Sequence, residues 1–369
     1  MSIWTDRVRL AGEILRRRLA SLGSRGLFYI VEDLDWVIKR EGEYLLRHLA
    51  PIAPRLKGRL EDSPRGLRGQ LLHFGSLGAF AGAVDYAHAD NSLVATCYHG
   101  YPEMGGDMRR NLEKLLKEQG RLARVVTACG IMQERLAGWG IPREKLRLIP
   151  LGTSRQDFYP LPPAERQKLR AKLGIPADAF CIGSFQKDGE GWGDGDKPKL
   201  IKGPDLFVEV VAELAKRRRV FALLTGPARG FVIKGLQKAG VGYVHLYPKE
   251  LGELCALYNC LDLYLITARE EGGPKSLPEG MATGVPLVTT RVGMAPDMIQ
   301  SGRNGIMTEL DDLEGLVRGC LRIMEDAGLR EAMVERGLET VKRHDWPVLA
   351  QAHWRELYEP LLADLRGGR

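Results

Sequence analysis

The sequence contains no run of about 18 apolar residues, so it offers no helix long enough to cross a membrane. Its first stretch, MSIWTDRVRLAG, carries charges where an export signal needs an apolar core, and no such signal is read there. Cysteine is sparse: Cys97, Cys129, Cys181, Cys255, Cys260 and Cys320, with no CxxC pair. All but Cys129 lie among mainly apolar neighbours, which predicts buried thiols in a reducing cytosol rather than disulfides or a zinc site. HExxH, GxSxG and Cys/His clusters are absent, so metal catalysis and serine hydrolysis have no support. Nucleic acid is excluded as a partner by the lack of a recognisable motif or of interleaved aromatic and basic residues.

What is present is an ordinary globular composition, 44% hydrophobic and 27% charged over 369 residues, long enough for two domains. The net charge is +7. Much of the excess lies early, at Arg7, Arg9, Arg16, Arg17, Arg18 and Arg25, with Ile3, Trp4, Val8, Ile14, Leu15 and Leu19 near helical spacing. Two readings stand: a helix resting on an anionic membrane surface, or a helix packed on the first domain with its arginines in solvent.

Apolar runs alternate with longer stretches of helical period, the pattern of a parallel α/β sheet. Strands are predicted at 27–31, 70–74, 92–98, 123–129 and 145–150, with a helix over 106–120. Residues 151–165, rich in turn formers and proline, read as a linker. A second series runs through strands at 179–185, 220–226, 243–247, 261–268 and 285–290, with helices near 204–217, 250–260 and 311–342. A single amphipathic helix is expected over 345–366. The predicted division is 1–155 and 156–344, with the tail 345–369 packing back on the first part. Ligands of open α/β sheets bind outside the carboxyl ends of the strands, so the residues just after these strands are the ones to inspect.

The segment EEGGPKSLPEGMATGVPLVTT (270–290) follows such a strand. Glu271 and Glu279 are separated by seven residues, and Gly272 and Gly273 let a ligand approach the backbone. A helix beginning near Ser276 would aim N–H groups at a diphosphate. A carboxylate accepts hydrogen bonds from two sugar hydroxyls at once, so two carboxylates flanking an anion site suit the two sugars of a nucleotide sugar.

This stretch resembles the E-x7-E motif of the retaining GT-B glycosyltransferases of group 1 (family 4 type). Gly284 and Pro286 match the family's turn before the next strand, and CYHG (97–100), IPLGTSRQDFYP (149–160) and IKGPDLF (201–207) look like further landmarks. The resemblance implies two doubly wound Rossmann-like domains facing a central cleft, an acceptor-side domain followed by a donor domain. It implies Glu279 on the ribose hydroxyls and Glu271 near the transferred sugar. Gly273, Pro274, Lys275 and Ser276 would offer backbone groups to sugar and diphosphate, Lys202 would pair with the phosphates, and His99 would face the donor sugar. Backbone around His245 and Leu246 would meet the base.

Two departures stand out. The family's Gly-Arg after the first strand of the donor domain is Gly183-Ser184 here, and Lys187, three residues on, takes the place of that cation in this reading. The usual glycine pair after the first strand is replaced by EDLDWVIKREGEYLL (32–46), where Asp33 and Asp35 are either acceptor-side carboxylates or a solvated loop. The glycine-rich DGEGWGDGDKPK (188–199) fits neither a phosphate loop nor a calcium loop and is expected to be a mobile lid over the donor. The expected function is retaining, metal-independent hexosyl transfer from an NDP-sugar, with no cofactor, to a glycan, lipid-linked or small-molecule hydroxyl, as in polysaccharide biosynthesis. The expected setting is the cytoplasm, with peripheral contact at the inner membrane face. A sugar-nucleotide epimerase and a non-catalytic nucleotide-sugar binder are the alternatives.

Overall fold

The strands form where short apolar runs of β-branched, leucine and aromatic residues have no polar alternation, because both faces of a parallel sheet are covered. The computed structural model describes residues 11–19, 25–32 and 37–367. The chain divides into two compact units, one of the residues before Leu151 together with those after Asp345, the other Leu151–Asp345.

The first unit contains β1 (Leu27–Ile30), β2 (Gly58–Glu61), β3 (Leu71–Phe74), β4 (Ser92–Thr96), β5 (Leu122–Thr127) and β6 (Leu146–Leu148). They form one six-stranded sheet in the order β2-β1-β3-β4-β5-β6, all pairs parallel. Leu349, Ala350, Leu357, Leu361 and Leu362 of the tail share a core with Leu27, Tyr29 and Leu71. His73 is buried there between the hydroxyls of Tyr358 (2.6 Å) and Thr96 (2.7 Å).

The second unit contains β7 (Phe180–Phe185), β8 (Val220–Thr225), β9 (Gly242–Leu246), β10 (Leu263–Ile266), β11 (Leu287–Thr290) and β12 (Ile306–Thr308). Their order is β12-β11-β10-β7-β8-β9, again all parallel. The chain winds outward from β7 through β8 to β9, then crosses back and winds the other way from β10. The switch point therefore lies between β7 and β10, and residues following their carboxyl ends line it.

Several expectations change. β2 and β12 were not foreseen, because both are short edge strands without an apolar run; Gly58 and Arg59 are exposed. The tail is two helices, Trp346–His353 and Glu359–Gly367, joined by a wide π turn at Trp354–Tyr358. Pro360 explains the interruption: it has no N–H for the carbonyl of Glu356, and its ring crowds that turn. The 188–199 segment is not a free lid. Gly189 bridges Pro198 in antiparallel fashion, and the N–H groups of Gly230 and Phe231 donate to the carbonyls of Asp194 (2.7 Å) and Gly195 (3.0 Å). The hairpin is thus pinned to the start of the helix Gly230–Lys238. All six cysteines are free and buried, Cys129 included.

Residues 11–19 are helical, and Arg17, 2% exposed, pairs with Glu61 at 3.0 Å and with Asp62, while Arg16 pairs with Glu61 at 2.8 Å. Arg17 thus docks the helix at the end of β2, while Arg16, although paired, and Arg18 remain exposed to solvent. Ile3, Trp4, Arg7, Val8, Arg9, Asp33 and Asp35 lie outside the described residues.

Candidate functional site

The segment after β10 organises the switch point. Thr267 donates its hydroxyl to the carbonyl of Gly203 at 2.7 Å, and the N–H groups of Arg269 and Glu270 reach the carbonyl of Ile201 at 2.8 and 3.2 Å. Arg269 forks onto Asp205, both bonds 2.8 Å, and also pairs with Asp311 at 2.6 Å. Gly203 has φ +63°, and a Cβ there would lie 1.9 Å from the Thr267 carbonyl oxygen, so only glycine lets the two segments approach this closely. The result is an ion pair between Lys202 Nζ and Glu271 Oε1, with the two side chains 25% and 17% exposed.

The end of β7 joins the same group. Gln186 donates its amide to the carbonyl of Lys202 at 3.1 Å. Lys187, the next residue, holds its ammonium 3.5 Å from the ring centroid of Trp192, an aromatic that is 80% exposed on the 188–199 hairpin. Lys199, at the hairpin's other end, is half-buried. Burial first, then the charges of Lys202 and Lys187, push its pKa down. Lys199 thus feels both Lys202 and Lys187, with Glu190 and Glu271 offsetting part of their effect, an excess of positive charge suited to an anion.

Glu279 lies within the helix Ser276–Ala282 and is 9% exposed. The hydroxyl of Tyr258 donates to its Oε2 at 3.0 Å. Burial, then the Glu279 charge, push the Tyr258 pKa well above its ordinary value, so the phenol stays a donor. Its ring packs edge-on against Phe158 and Phe185 and tilted against Tyr264. Tyr264 ties β10 to β7: the Phe185 N–H donates to its hydroxyl at 2.8 Å.

The helix start offers fewer donors than its sequence promised. The Leu277 N–H already serves the Pro274 carbonyl (3.0 Å), the Glu279 N–H serves Lys275 (3.0 Å), and Pro278 has none. With only two turns behind it, this terminus adds little field. Gly272, Gly273 and Pro274 form the loop before it, and Gly293 (φ +51°) backs it closely, a Cβ there meeting the Glu271 carbonyl at 2.9 Å. Lys275 turns its ammonium onto the carbonyl of Gly152. His245 and Leu246 end β9, and His245 Nε2–H donates to the Gly226 carbonyl at 2.7 Å. His99 stands exposed, three residues beyond β4, in the first unit.

Lys187, Lys202, Glu271, Glu279 and the 272–276 loop therefore follow the carboxyl ends of adjacent strands in one sheet. Tyr258, Tyr264 and Lys199 were not anticipated. Lys199 carries a signal, a lysine three residues before Lys202, whereas the tyrosines read as ordinary core aromatics. In the first unit, Glu32 accepts the Ser76 hydroxyl at 2.6 Å, and its other oxygen is buried without a partner among the described residues. It sits at that sheet's own switch point, between β1 and β3.

Residues 197–326 match the model of the family described as glycosyl transferases group 1. In this segment, about a third of the chain, the protein is similar to the group 1 glycosyltransferases. The group 1 segment includes Lys199, Lys202, Glu271 and Glu279. Over 299 residues the chain is 23% identical to the D-inositol 3-phosphate glycosyltransferase of Corynebacterium jeikeium, covering 75% of this chain and 67% of that protein. Over 194 residues it is 28% identical to the lipopolysaccharide core biosynthesis mannosyltransferase LpsB of Rhizobium meliloti, covering 50% and 52%. The chain spans between about half and two thirds of the length of these curated relatives. Among solved structures, HepE of Anabaena in complex with UDP-glucose superposes with a TM-score of 0.72 at 17% identity, covering 94% of this chain and all of that one. A glycosyltransferase of Rickettsia africae gives 0.69 at 14%, covering 94% and 100%. At such identities the likeness concerns the fold: two parallel six-stranded α/β sheets of the GT-B glycosyltransferases.

Proposed function

We propose that this protein transfers a hexosyl unit from an NDP-sugar to an acceptor hydroxyl with retention at the anomeric carbon and without a metal ion. The observation that carries the proposal is the Lys202–Glu271 ion pair beside Lys187 and Lys199 at the switch point of the second sheet. HepE of Anabaena, solved with UDP and glucose and with UDP-glucose, supports a nucleotide-sugar donor.

In this reading Glu279, held by Tyr258, accepts the ribose hydroxyls, and Glu271 accepts hydroxyls of the transferred sugar. Gly272, Gly273, Pro274, Lys275 and Ser276 contribute backbone groups to sugar and diphosphate, and the backbone around His245 and Leu246 meets the base. His99 is assigned to the sugar on its motif alone. The bond from the anomeric carbon to the β-phosphate oxygen breaks, and its electron pair stays on that oxygen. The acceptor oxygen forms the new bond on the same face, and its proton passes to the departing phosphate. Lys202 and Lys187 stabilise the charge growing there, which is preorganised electrostatic catalysis.

The acceptor is a hydroxyl of a glycan, a lipid-linked sugar or a small molecule. Peripheral membrane contact fits the helix at 11–19, where Leu15 and Leu19 are 57% and 59% exposed beside exposed Arg18. Sedimentation with phosphatidylglycerol vesicles tests this: Leu15→Ser with Leu19→Ser should release the protein, and unchanged binding sinks the contact.

The test of the function is incubation with UDP-, GDP-, ADP- and dTDP-hexoses in EDTA and an acceptor mixture. Free NDP with a glycosylated product of unchanged anomeric configuration supports the proposal. A new NDP-sugar points to epimerisation, and binding without products to a non-catalytic binder; either refutes transfer.

A further inference from the structure

The buried guanidinium of Arg229 belongs to none of the assignments above, yet it grips both sides of Lys187. Its side chain has no exposure. Nη1 donates to the carbonyls of Ser184 (2.6 Å), Gln186 (3.1 Å) and Thr225 (2.7 Å), and Nη2 donates to the Ser184 hydroxyl (3.0 Å). Nε lies 3.0 Å from Oδ1 of Asp188, itself buried, but off the line of the N–H, so the contact is an ion pair rather than an aligned hydrogen bond. Gln186 and Asp188 are the residues immediately before and after Lys187. One planar cation thus holds the backbone on one side of Lys187 and the carboxylate on the other.

The surroundings are built to keep Arg229 turned inward. Ala228 before it has φ +57°, a conformation a residue with a Cβ holds only when its surroundings enforce it. Gly189 and Gly195 of the hairpin pack against its backbone, where a Cβ on either would come within 2.4 and 2.1 Å of Ala228 atoms. The hairpin, the left-handed Ala228 and the clamp therefore form one unit beneath Lys187. Burial acts on the two partners in opposite directions, lowering the Arg229 pKa and raising that of Asp188, and each charge offsets part of the other's shift.

We propose that Arg229 is a positioning residue for Lys187: the charge that meets the donor diphosphate comes from Lys187, and Arg229, with Asp188, sets where that lysine's backbone stands. The arginine expected after Gly183 is thereby replaced by two residues, one carrying charge and one carrying geometry. This inference rests on the proposed role of Lys187 at the phosphates. Lysine cannot reproduce the clamp, because an ammonium lacks the planar fork that reaches three carbonyls and a carboxylate. Arg229→Lys keeps the charge opposite Asp188 and removes only the fork.

The experiment compares an NDP with its own NMP by titration calorimetry, using whichever of UDP, GDP, ADP and dTDP stabilises the wild-type chain. Lys187→Ala should lower NDP affinity about ten-fold and leave NMP affinity unchanged, the loss of one charge-assisted contact. Arg229→Lys should lower NDP affinity about five-fold, again sparing NMP. In the Lys187→Ala background, Arg229→Lys should add less than about two-fold, since a positioning effect disappears with the group it positions. Should Arg229→Lys fail to fold, Asp188→Asn takes its place in the same cycle with the same expectation. Equal losses of NDP and NMP affinity, or losses that add across the double variant, overturn the positioning role. An unchanged NDP-to-NMP ratio in Lys187→Ala overturns instead the reading of Lys187 on which the inference rests.

Discussion

Replacing Glu271 by glutamine separates its two proposed partners, the sugar and Lys202. Glu271 holds the Lys202 ammonium in an ion pair whose members, Lys202 and Glu271, are 25% and 17% exposed. Such a partly solvated pair is worth about 1 kcal/mol. An incoming diphosphate must share that ammonium, so Glu271→Gln should leave affinity for NDP unchanged or raise it up to about five-fold. Turnover should move the other way. Two hydrogen bonds from sugar hydroxyls to a carboxylate are worth about 1.5 kcal/mol each or more, so their weakening lowers kcat/KM by about a hundred-fold. Glutamine keeps the size of the side chain, and thermal melting should confirm an intact fold. Calorimetry with the bound NDP and an NDP-release assay with the NDP-sugar read the two effects separately. A fall in NDP affinity of five-fold or more would place Glu271 on the nucleotide, and unchanged turnover would remove it from the sugar; either result refutes the reasoning.

Two further perturbations follow from the geometry. Tyr258→Phe keeps the packing against Phe158, Phe185 and Tyr264 but removes the Tyr258 hydroxyl from Glu279, so NDP affinity should fall by about 1–2 kcal/mol. Full affinity in that variant would show that Tyr258 does not hold Glu279 in place. His353 is buried, its Nδ1–H donates to the Leu349 carbonyl at 2.8 Å, and burial pushes its pKa down to about 4. The unfolded chain takes up the proton below about pH 6.5 while the folded one does not, so stability drains away between about pH 6.5 and 4. At about pH 5 the loss is roughly 2 kcal/mol for this group. Urea unfolding of wild type and His353→Gln at pH 7 and pH 5 checks it: the difference between them should shift by about that amount in favour of glutamine. A difference independent of pH contradicts the buried neutral histidine.

The residues that carried the strongest local signal behaved as their patterns predicted. LFYI, FCIGSF and LYLI are buried on both faces and form central strands, because continuous apolar runs have no other stable place. GRLE and IMT gave no such signal, since an edge strand needs only backbone partners on one side. The tail pattern showed its apolar face but not the break at Pro360, which depends on one missing N–H. At the site, Lys202 and Glu271 were named separately, while their contact depends on Gly203 lying against Thr267, a long-range approach that spacing does not encode. Glycine content in 188–199 signals freedom in the sequence, whereas in the fold Gly189 and Gly195 serve close packing against Ala228. Arg229 gave no signal because a buried arginine looks, in sequence, like any surface one.

The central claim is that the second sheet's switch point binds the nucleotide of an NDP-sugar through Glu279. Titration of UDP, GDP, ADP and dTDP against wild type and Glu279→Gln tests it most directly. The account predicts that one NDP binds the wild type saturably and raises its melting temperature, and that Glu279→Gln weakens that NDP about ten-fold or more through loss of charged hydrogen bonds. Wild type that binds none of the four, or a Glu279→Gln variant that binds as well as wild type, would contradict it.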